Sequence, residues 1–303
     1  MAQTLELLTL RTETMRGIRS IVRTMKTMSA INAQPYEQAA RAIGAYRQTV
    51  LDGLHAFVQC YGPLPAGAAP QATPVVIAFG SDHGLCGNYN EIVAAEAART
   101  MQPHTCATRL ICVGARMEEA LAGRDIQAEA TLFPPATPDG LQRLAASLIT
   151  RLDAIRLTAP AGDVVVSLVF MQRAGHGRQF SVSQRLLPLD PALVDALVQR
   201  PWSSRSLPRA GLPADRLLAA LIRNYLLAEL TRAAAEALLT ENATRLARMQ
   251  QAEQSVDERL EALAAEVRTV RQDEITTELL DVIIGFEALK ERDRSQDIPR
   301  PGS

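Results

Sequence analysis

Apolar positions in the last third of the chain recur every three and a half residues. Leu246, Met249, Val256, Leu260, Leu263, Val267 and Val270 fall on alternating steps of three and four, with Glu253 and Glu274 as the polar exceptions. That spacing is the seam of a left-handed coiled coil. Neither Gly nor Pro occurs between Ala214 and Ile284. The pattern therefore predicts one helix of about 70 residues, on the order of 100 Å long. The flanks are charged: Arg245, Arg248, Glu258, Arg259, Glu261, Glu266, Arg268 and Arg271. One narrow stripe does not stabilise so long a helix in water, so a partner helix is required. The partner is either a second copy, giving a homodimeric tether or scaffold, or another part of the same chain.

A second stripe of the same period lies at the other end. Leu8, Met15, Ile18, Val22 and Met25 form it, Ile21 and Met28 widen it, and Arg11, Glu13, Arg16, Arg19, Arg23 and Lys26 oppose it. It predicts a helix to about Val58, with a kink at Pro35 and weak points at Gly44 and Gly53. Two seams of one period at opposite ends favour an antiparallel coiled coil within the chain.

Between the seams the pattern changes. The apolar run Val75–Phe79 reads as a buried strand followed by a loop from Gly80 to Asn88. Asn90 is a candidate cap for a helix to about Met101. Strands are predicted at Arg109–Val113, Gln127–Phe133, Val164–Met171 and Gln179–Leu187, and helices at 115–122 and Pro138–Ile155. Gly175 and Gly177 mark the last strand pair as a hairpin. Alternating strands and helices predict a small, mostly parallel sheet. The fold class is thus α/β: a long antiparallel coiled coil of N- and C-terminal helices with an inserted small Rossmann-like α/β domain. The divisions are an N-terminal helix (1–60), a Pro/Gly/Ala-rich linker (61–74), the inserted domain (75–198), a second linker (199–213), the C-terminal helix (214–292) and a tail (293–303).

Composition narrows the function. The chain of 303 residues carries 32 Lys and Arg against 33 Asp and Glu, which argues against a general nucleic-acid binder. Aromatic content is 4%, as suits long Ala-, Leu-, Glu- and Arg-rich helices. Cys60, Cys86, Cys106 and Cys112 have no CxxC spacing, so a reducing cytosolic compartment is the simpler reading. His55, His104 and His176 are scattered, without metal-ligand spacing. No apolar run approaches the roughly 20 residues of a membrane span, and Glu6 and Glu13 stand where a signal peptide would be apolar.

One stretch looks like a site: Gly80-Ser81-Asp82-His83-Gly84-Leu85-Cys86-Gly87-Asn88. A Gly-rich loop between strand and helix is suited to cradling a phosphate. The spacing fits neither GxGxxG nor GxxxxGK[ST], however, and no lysine is present for a nucleotide. His83 and Cys86 lack an orienting third group for nucleophilic chemistry. The plainer reading is that Gly84 and Gly87 permit backbone shapes other residues avoid and let the turn pack closely.

Three segments carry a resemblance to the gamma subunit of F-type ATP synthases. Residues 80–90 are similar to that family's SDRGLCGxxN signature, and Ile21-Val22-Arg23-Thr24-Met25-Lys26 to its N-terminal IT-K-A-M segment. Arg271-Gln272-Asp273-Glu274-Ile275-Thr276-Thr277-Glu278-Leu279-Leu280, with Gly285 and Glu287-Ala288-Leu289, is similar to its C-terminal ending. Glu241–Arg245 with Met249, and Val182–Asp190, extend the likeness. His83 stands where the family usually has Arg, Arg268 where it has Asn, and Pro35 interrupts a usually unbroken helix. The resemblance implies a rotor shaft with no catalytic residue, metal or cofactor of its own. It implies partners in the alpha and beta subunits of the catalytic ring, the epsilon subunit and the membrane c-ring, and a place on the cytoplasmic face of a bacterial inner membrane. Met25, Arg271 and Gln272 are then the expected contacts with the catalytic ring, and Ser81, Asp82, Gly84, Cys86 and Gly87 belong to the foot-domain loop.

Overall fold

The computed structural model of the chain describes residues 2–64, 72–102, 107–159, 163–174 and 178–296. The hairpin glycines Gly175 and Gly177, and His104, Cys106 and His176, lie outside them. Helix α1 (Ala2–Tyr61) and helix α6 (Ala214–Gln296) bracket five strands and four shorter helices. By contacts the chain divides into two units, residues 1–25 with 249–303, and residues 26–248.

The first unit is a pair of antiparallel helical segments. Arg23 Nε donates to Glu253 Oε1 at 2.8 Å, and Arg19 Nε lies 2.7 Å from Asp257 Oδ1. As the number rises by four on one helix it falls by four on the other, which is the antiparallel register. The partner helix therefore lies in the same chain, and the homodimeric tether loses its rationale. On α6, Met249 and Leu263 are buried, and positions 253, 256, 260, 267, 270 and 274 are half-buried. The expected seam and the buried face coincide. Glu253 is accommodated at a seam position because Arg23 neutralises it.

The α1 stripe departs from expectation. Leu8 and Val22 are buried and Leu5, Thr12, Met15 and Arg19 half-buried, so the seam steps through 5, 8, 12, 15, 19 and 22. Ile18, Ile21 and Met28 face outward, Ile21 being 61% exposed. They belong, with Leu7, Leu10 and Ile31, to a second apolar row. Arg19, read as opposite the stripe, lies in it, because its charge meets Asp257 there. Pro35 lies within α1, which runs on to Tyr61 as one helix.

The second unit is built on a five-stranded sheet in the order β3-β2-β1-β4-β5. Its strands are β1 (Thr73–Phe79), β2 (Arg109–Val113), β3 (Ala130–Leu132), β4 (Val164–Arg173) and β5 (Gln179–Leu187). The first four are parallel, and β5 runs antiparallel to β4. Strand periodicity sends odd and even residues to opposite faces. Val76, Ala78, Leu110 and Cys112 pack with Tyr89, Val93 and Ala97 of α2 (Tyr89–Met101) and Met117 and Leu121 of α3 (Ala115–Ala122). Val75, Ile77, Phe79, Ile111 and Val113 pack with α4 (Leu141–Thr158), α5 (Pro191–Gln199) and buried residues of α1 and α6. Burial on both faces is why β1, β2 and much of β4 read as unbroken apolar runs.

Several element ends differ from expectation. The predicted strand over 127–133 is only three residues long, and the helix predicted from Pro138 begins with a 3-10 turn, Pro138–Gly140. Helix α5 was not anticipated. Its start is legible in retrospect: Asp190 caps it by accepting from Ala192 N at 2.9 Å, with Pro191 in the first turn.

A buried charge ties α1, α6 and β5 together. Glu229, 0% exposed, accepts from Arg47 of α1, from Arg232 Nε at 3.0 Å and from Gln184 Nε2 at 3.3 Å. Burial pushes its carboxyl up, but Arg232 and Arg47 outweigh that and hold it below the ordinary carboxylate range.

Three outcomes follow. Leu263→Ala, at a seam position 1% exposed, is expected to cost about 2–5 kcal/mol, read as faster amide exchange across residues 249–267. Ile275→Ala, on an exposed face, is expected to stay within about 0.5 kcal/mol of the native chain. Glu229→Gln is expected to lower urea stability at neutral pH by about 3–5 kcal/mol. Because the native carboxyl is depressed, its contribution is present above its ordinary pKa and is lost as pH falls through the folded value. The deficit should therefore shrink in acid; a deficit independent of pH would rule out the ion-pair explanation.

Candidate functional site

The Gly-rich loop sits at the C-terminal end of β1, between β2 and β4. The helices that follow β1 and precede β4 lie on opposite faces of the sheet, so this is its topological switch point. Open α/β sheets commonly bind ligands there. Here the chain fills the place itself.

The leading residues of the loop are engaged internally. Gly80 N donates to Val113 O at 2.9 Å. Ser81 N donates to Asn90 Oδ1 at 2.9 Å, and Asn90 Nδ2 returns a bond to Ser81 Oγ at 2.8 Å. Ser81 O accepts from Arg116 N at 3.1 Å, and Asp82 Oδ1 accepts from Ala115 N at 3.3 Å. Asn90 is thus a buried brace for the loop, and Asn88 is the N-cap residue of α2, without a side-chain bond. A phosphate cradle needs free N–H groups; those of Gly80 and Ser81 are spent on the protein.

The glycines also divide differently from expectation. Gly87 has φ +63°, and a Cβ there would lie 2.6 Å from Arg248 Nε. Its left-handed conformation is what calls for glycine, since the far end of the flexible Arg248 side chain can swing aside. Gly84 has an ordinary φ with open space around it. The other left-handed residue of the loop is Leu85, at φ 66°, with its side chain 55% exposed.

Helix α6 closes over the loop through the segment Glu241–Arg245. Arg245 Nε donates to Gly84 O and its NH2 group to His83 O, both at 3.1 Å. The same NH2 group donates to Glu241 Oε1 at 2.5 Å. Glu241 Oε2 is buried without a hydrogen-bond partner. Burial raises the Glu241 carboxyl, opposed by Arg245 and His83 and assisted by Asp82. Nearby, Tyr89 OH donates to Ala237 O at 3.0 Å. Tyr36, buried and facing the Glu241 charge, has its phenol pushed up to about 12.

No nucleophile is assembled. Cys86 approaches Ser81 Oγ at 3.4 Å and the carbonyl of His83 at 3.9 Å. Burial pushes its thiol up, away from the reactive thiolate. Among the described residues no group of three or more His, Cys, Asp and Glu could hold a metal ion. Met25, Arg271 and Gln272 are far from this loop in kind as well as in sequence. Met25 is half-buried near the α1 seam, and Arg271 and Gln272 are exposed, with no side-chain hydrogen bond or ion pair inside the described chain. What the sequence reading missed is the meeting of two motifs, residues 80–90 and 241–245, which only the tertiary fold brings together.

Arg245→Gln is expected to cost about 1–3 kcal/mol of urea stability, because it leaves buried Glu241 and the carbonyls of His83 and Gly84 without their donor. Glu241→Gln is expected to be far milder. Since the native carboxyl is raised, its stabilising contribution is present at low pH and lost as pH rises through the folded value. Glu241→Gln should accordingly gain on the native chain between acid and neutral pH. A growing loss over that range would reverse the assignment.

The family model described as ATP synthase matches residues 4–289. The ATP synthase gamma chain of Synechococcus sp. is 28% identical over 315 aligned positions, covering 92% of this chain and 97% of that one. That of Dinoroseobacter shibae is 25% identical, with the same coverage of both chains. Among solved structures, a chain of the Euglena gracilis mitochondrial ATP synthase, in its OSCP/F1/c-ring assembly, superposes with a TM-score of 0.65 at 16% identity, covering 100% of this chain and 99% of that chain. An internally braced loop, a paired seam and a match running almost end to end have one explanation: the chain belongs to the ATP synthase family, as a gamma-type, non-catalytic central-stalk subunit of an F-type enzyme.

Proposed function

We propose that this chain is the rotor shaft that couples ion-driven rotation of a membrane c-ring to conformational change at alpha/beta catalytic sites. The observation that carries this reading is the combination of a paired, breaker-free helix with an unpaired apolar exterior. Leu7, Leu10 and Ile21 on α1, and Ile275, Leu279, Val282 and Phe286 on α6, are each more than half exposed. A smooth apolar surface suits a bearing inside a ring. Fixed ion pairs to the ring would act as brakes, and exposed ones contribute only about 1 kcal/mol or less.

In this reading the alpha and beta subunits surround the paired helices, while the inserted domain meets the epsilon subunit and the c-ring. The assembly lies on the cytoplasmic face of a bacterial inner membrane. No helix of the described residues is long and apolar enough to cross a membrane. Met25, Arg271 and Gln272 serve as contacts with the catalytic ring. The free side chains of Arg271 and Gln272 leave their donors available to a passing subunit. Ser81, Asp82, Gly84, Cys86 and Gly87 act indirectly, by seating α6 on the inserted domain.

Purification of a tagged copy under native conditions is expected to recover one copy with an alpha–beta ring and ATPase activity. Recovery of a homodimer alone from cells containing both ring subunits would overturn the rotor reading. Arg271→Ala combined with Gln272→Ala is expected to lower ATP synthesis severalfold in membrane vesicles while leaving the melting temperature of the purified chain unchanged. Unaltered synthesis would remove these two residues from the coupling surface.

A further inference from the structure

The Gly-rich loop is tied down at both ends and spanned in the middle by one side chain. Gly80, Ser81 and Asp82 are bonded to β2, α2 and α3, and Cys86 is buried at the far end. Between these anchors Arg245 of α6 holds the carbonyls of His83 and Gly84, at 3.1 Å each. Leu85 is more than half exposed, and Gly84 has open space where a side chain would stand. Residues 83–85 therefore form an arch with little packing of its own. Arg245 also serves Glu241. The NH2 group that donates to His83 O donates to Glu241 Oε1 at 2.5 Å, while Glu241 Oε2 is buried with no partner. The neutral donors nearby are committed elsewhere: Tyr36 OH of α1 to Pro135 O at 2.8 Å, Tyr89 OH of α2 to Ala237 O at 3.0 Å, and Asn242 Nδ2 to Leu238 O at 2.8 Å.

The charges facing Glu241 are Arg245 on its own helix and, in the loop, His83 and the repelling Asp82. Glu236 and Arg248 are the other charged residues of this stretch of α6. Burial pushes the Tyr36 and Tyr89 phenols and the Cys86 thiol up, so they stay neutral. A carboxylate accepts on both oxygens, and its bonds to a guanidinium are stronger than those of a carbonyl. Ionised Glu241 and the two loop carbonyls thus compete for one side chain. We propose that Glu241 and Arg245 form a proton-gated clasp on the arch. Protonated Glu241 leaves Arg245 to hold His83 and Gly84. Ionised Glu241 draws the guanidinium onto its second oxygen and releases them, and water reaches the carboxylate. Burial raises the carboxyl of the closed form. The closed clasp is therefore favoured at low pH and loses ground as pH rises through the closed-state value.

Cys86 reports the opening, because its thiol lies 3.9 Å from the His83 carbonyl of the arch. The test is alkylation of the full chain by iodoacetamide, followed peptide by peptide in a mass spectrometer. Each rate is divided by that of the urea-unfolded chain at the same pH, which removes the titration of the thiol itself. The normalised Cys86 rate is expected to rise roughly tenfold between about pH 5 and about pH 8. Cys112, buried in the sheet, should stay slow throughout. Glu241→Gln should leave Cys86 slow at every pH, and Arg245→Gln should make it fast at every pH. His83→Asn should keep the rise. Should Glu241→Gln unfold and expose Cys112, Glu241→Leu, neutral and of similar bulk, takes its place. A flat native profile would overturn the proposal, and so would a rise that survives in the neutral Glu241 variants. A rise lost in His83→Asn would assign the proton to the imidazole instead. A parallel rise at Cys112 would show global unfolding and overturn the clasp as well.

Discussion

A helix with an apolar stripe only two positions wide in seven is not stable alone in water. Both long helices of this chain are under that constraint, and each relieves it for the other. The first and last segments of the sequence must therefore meet, in opposite directions, and everything between them has to return the chain to its starting place. The inserted sheet is accommodated as an excursion between two halves of one seam. Its central strands, β1, β2 and much of β4, are buried on both faces by helices.

Polar groups inside this arrangement follow two different rules. Glu229 is surrounded by two arginines and remains ionised against the pull of burial. Glu241 has one arginine and one unpartnered oxygen, and burial prevails. Glu241 has fewer donors, lies deeper and has the Asp82 charge nearby. The contrast marks Glu229 as a fastening between helices and sheet. Glu241 serves chiefly to orient Arg245, whose remaining donors hold the Gly-rich loop.

Much of this was legible in the residues. The α6 seam was read position by position because its period is unbroken and each buried residue is apolar or, at Glu253 and Glu274, a lone exception. The α1 seam was misread where Arg19 and Thr12 occupy it and where Ile18 and Ile21 do not, because polarity and burial part company when an opposite charge waits across the interface. Asn90 was mistaken for a cap because side-chain chemistry alone does not distinguish bracing a neighbouring turn from closing its own helix. The loop was recognised as special from its composition. That its bonds at Ser81, His83 and Gly84 are spent on the protein depends on Asn90, Arg116 and Arg245, from 9 to 162 residues away, and no local pattern encodes such distances.

The ion pair between Arg23 and Glu253 spans 230 residues of sequence. At ribosomal rates of about 5–20 residues per second, α1 has emerged roughly 10–50 s before its partner exists. Throughout that interval both of its apolar rows are uncovered, on a segment too narrow in its stripe to hold itself helical. The order of synthesis thus gives the inserted domain time to fold first. It also leaves the leading end of the chain as the part most in need of a chaperone.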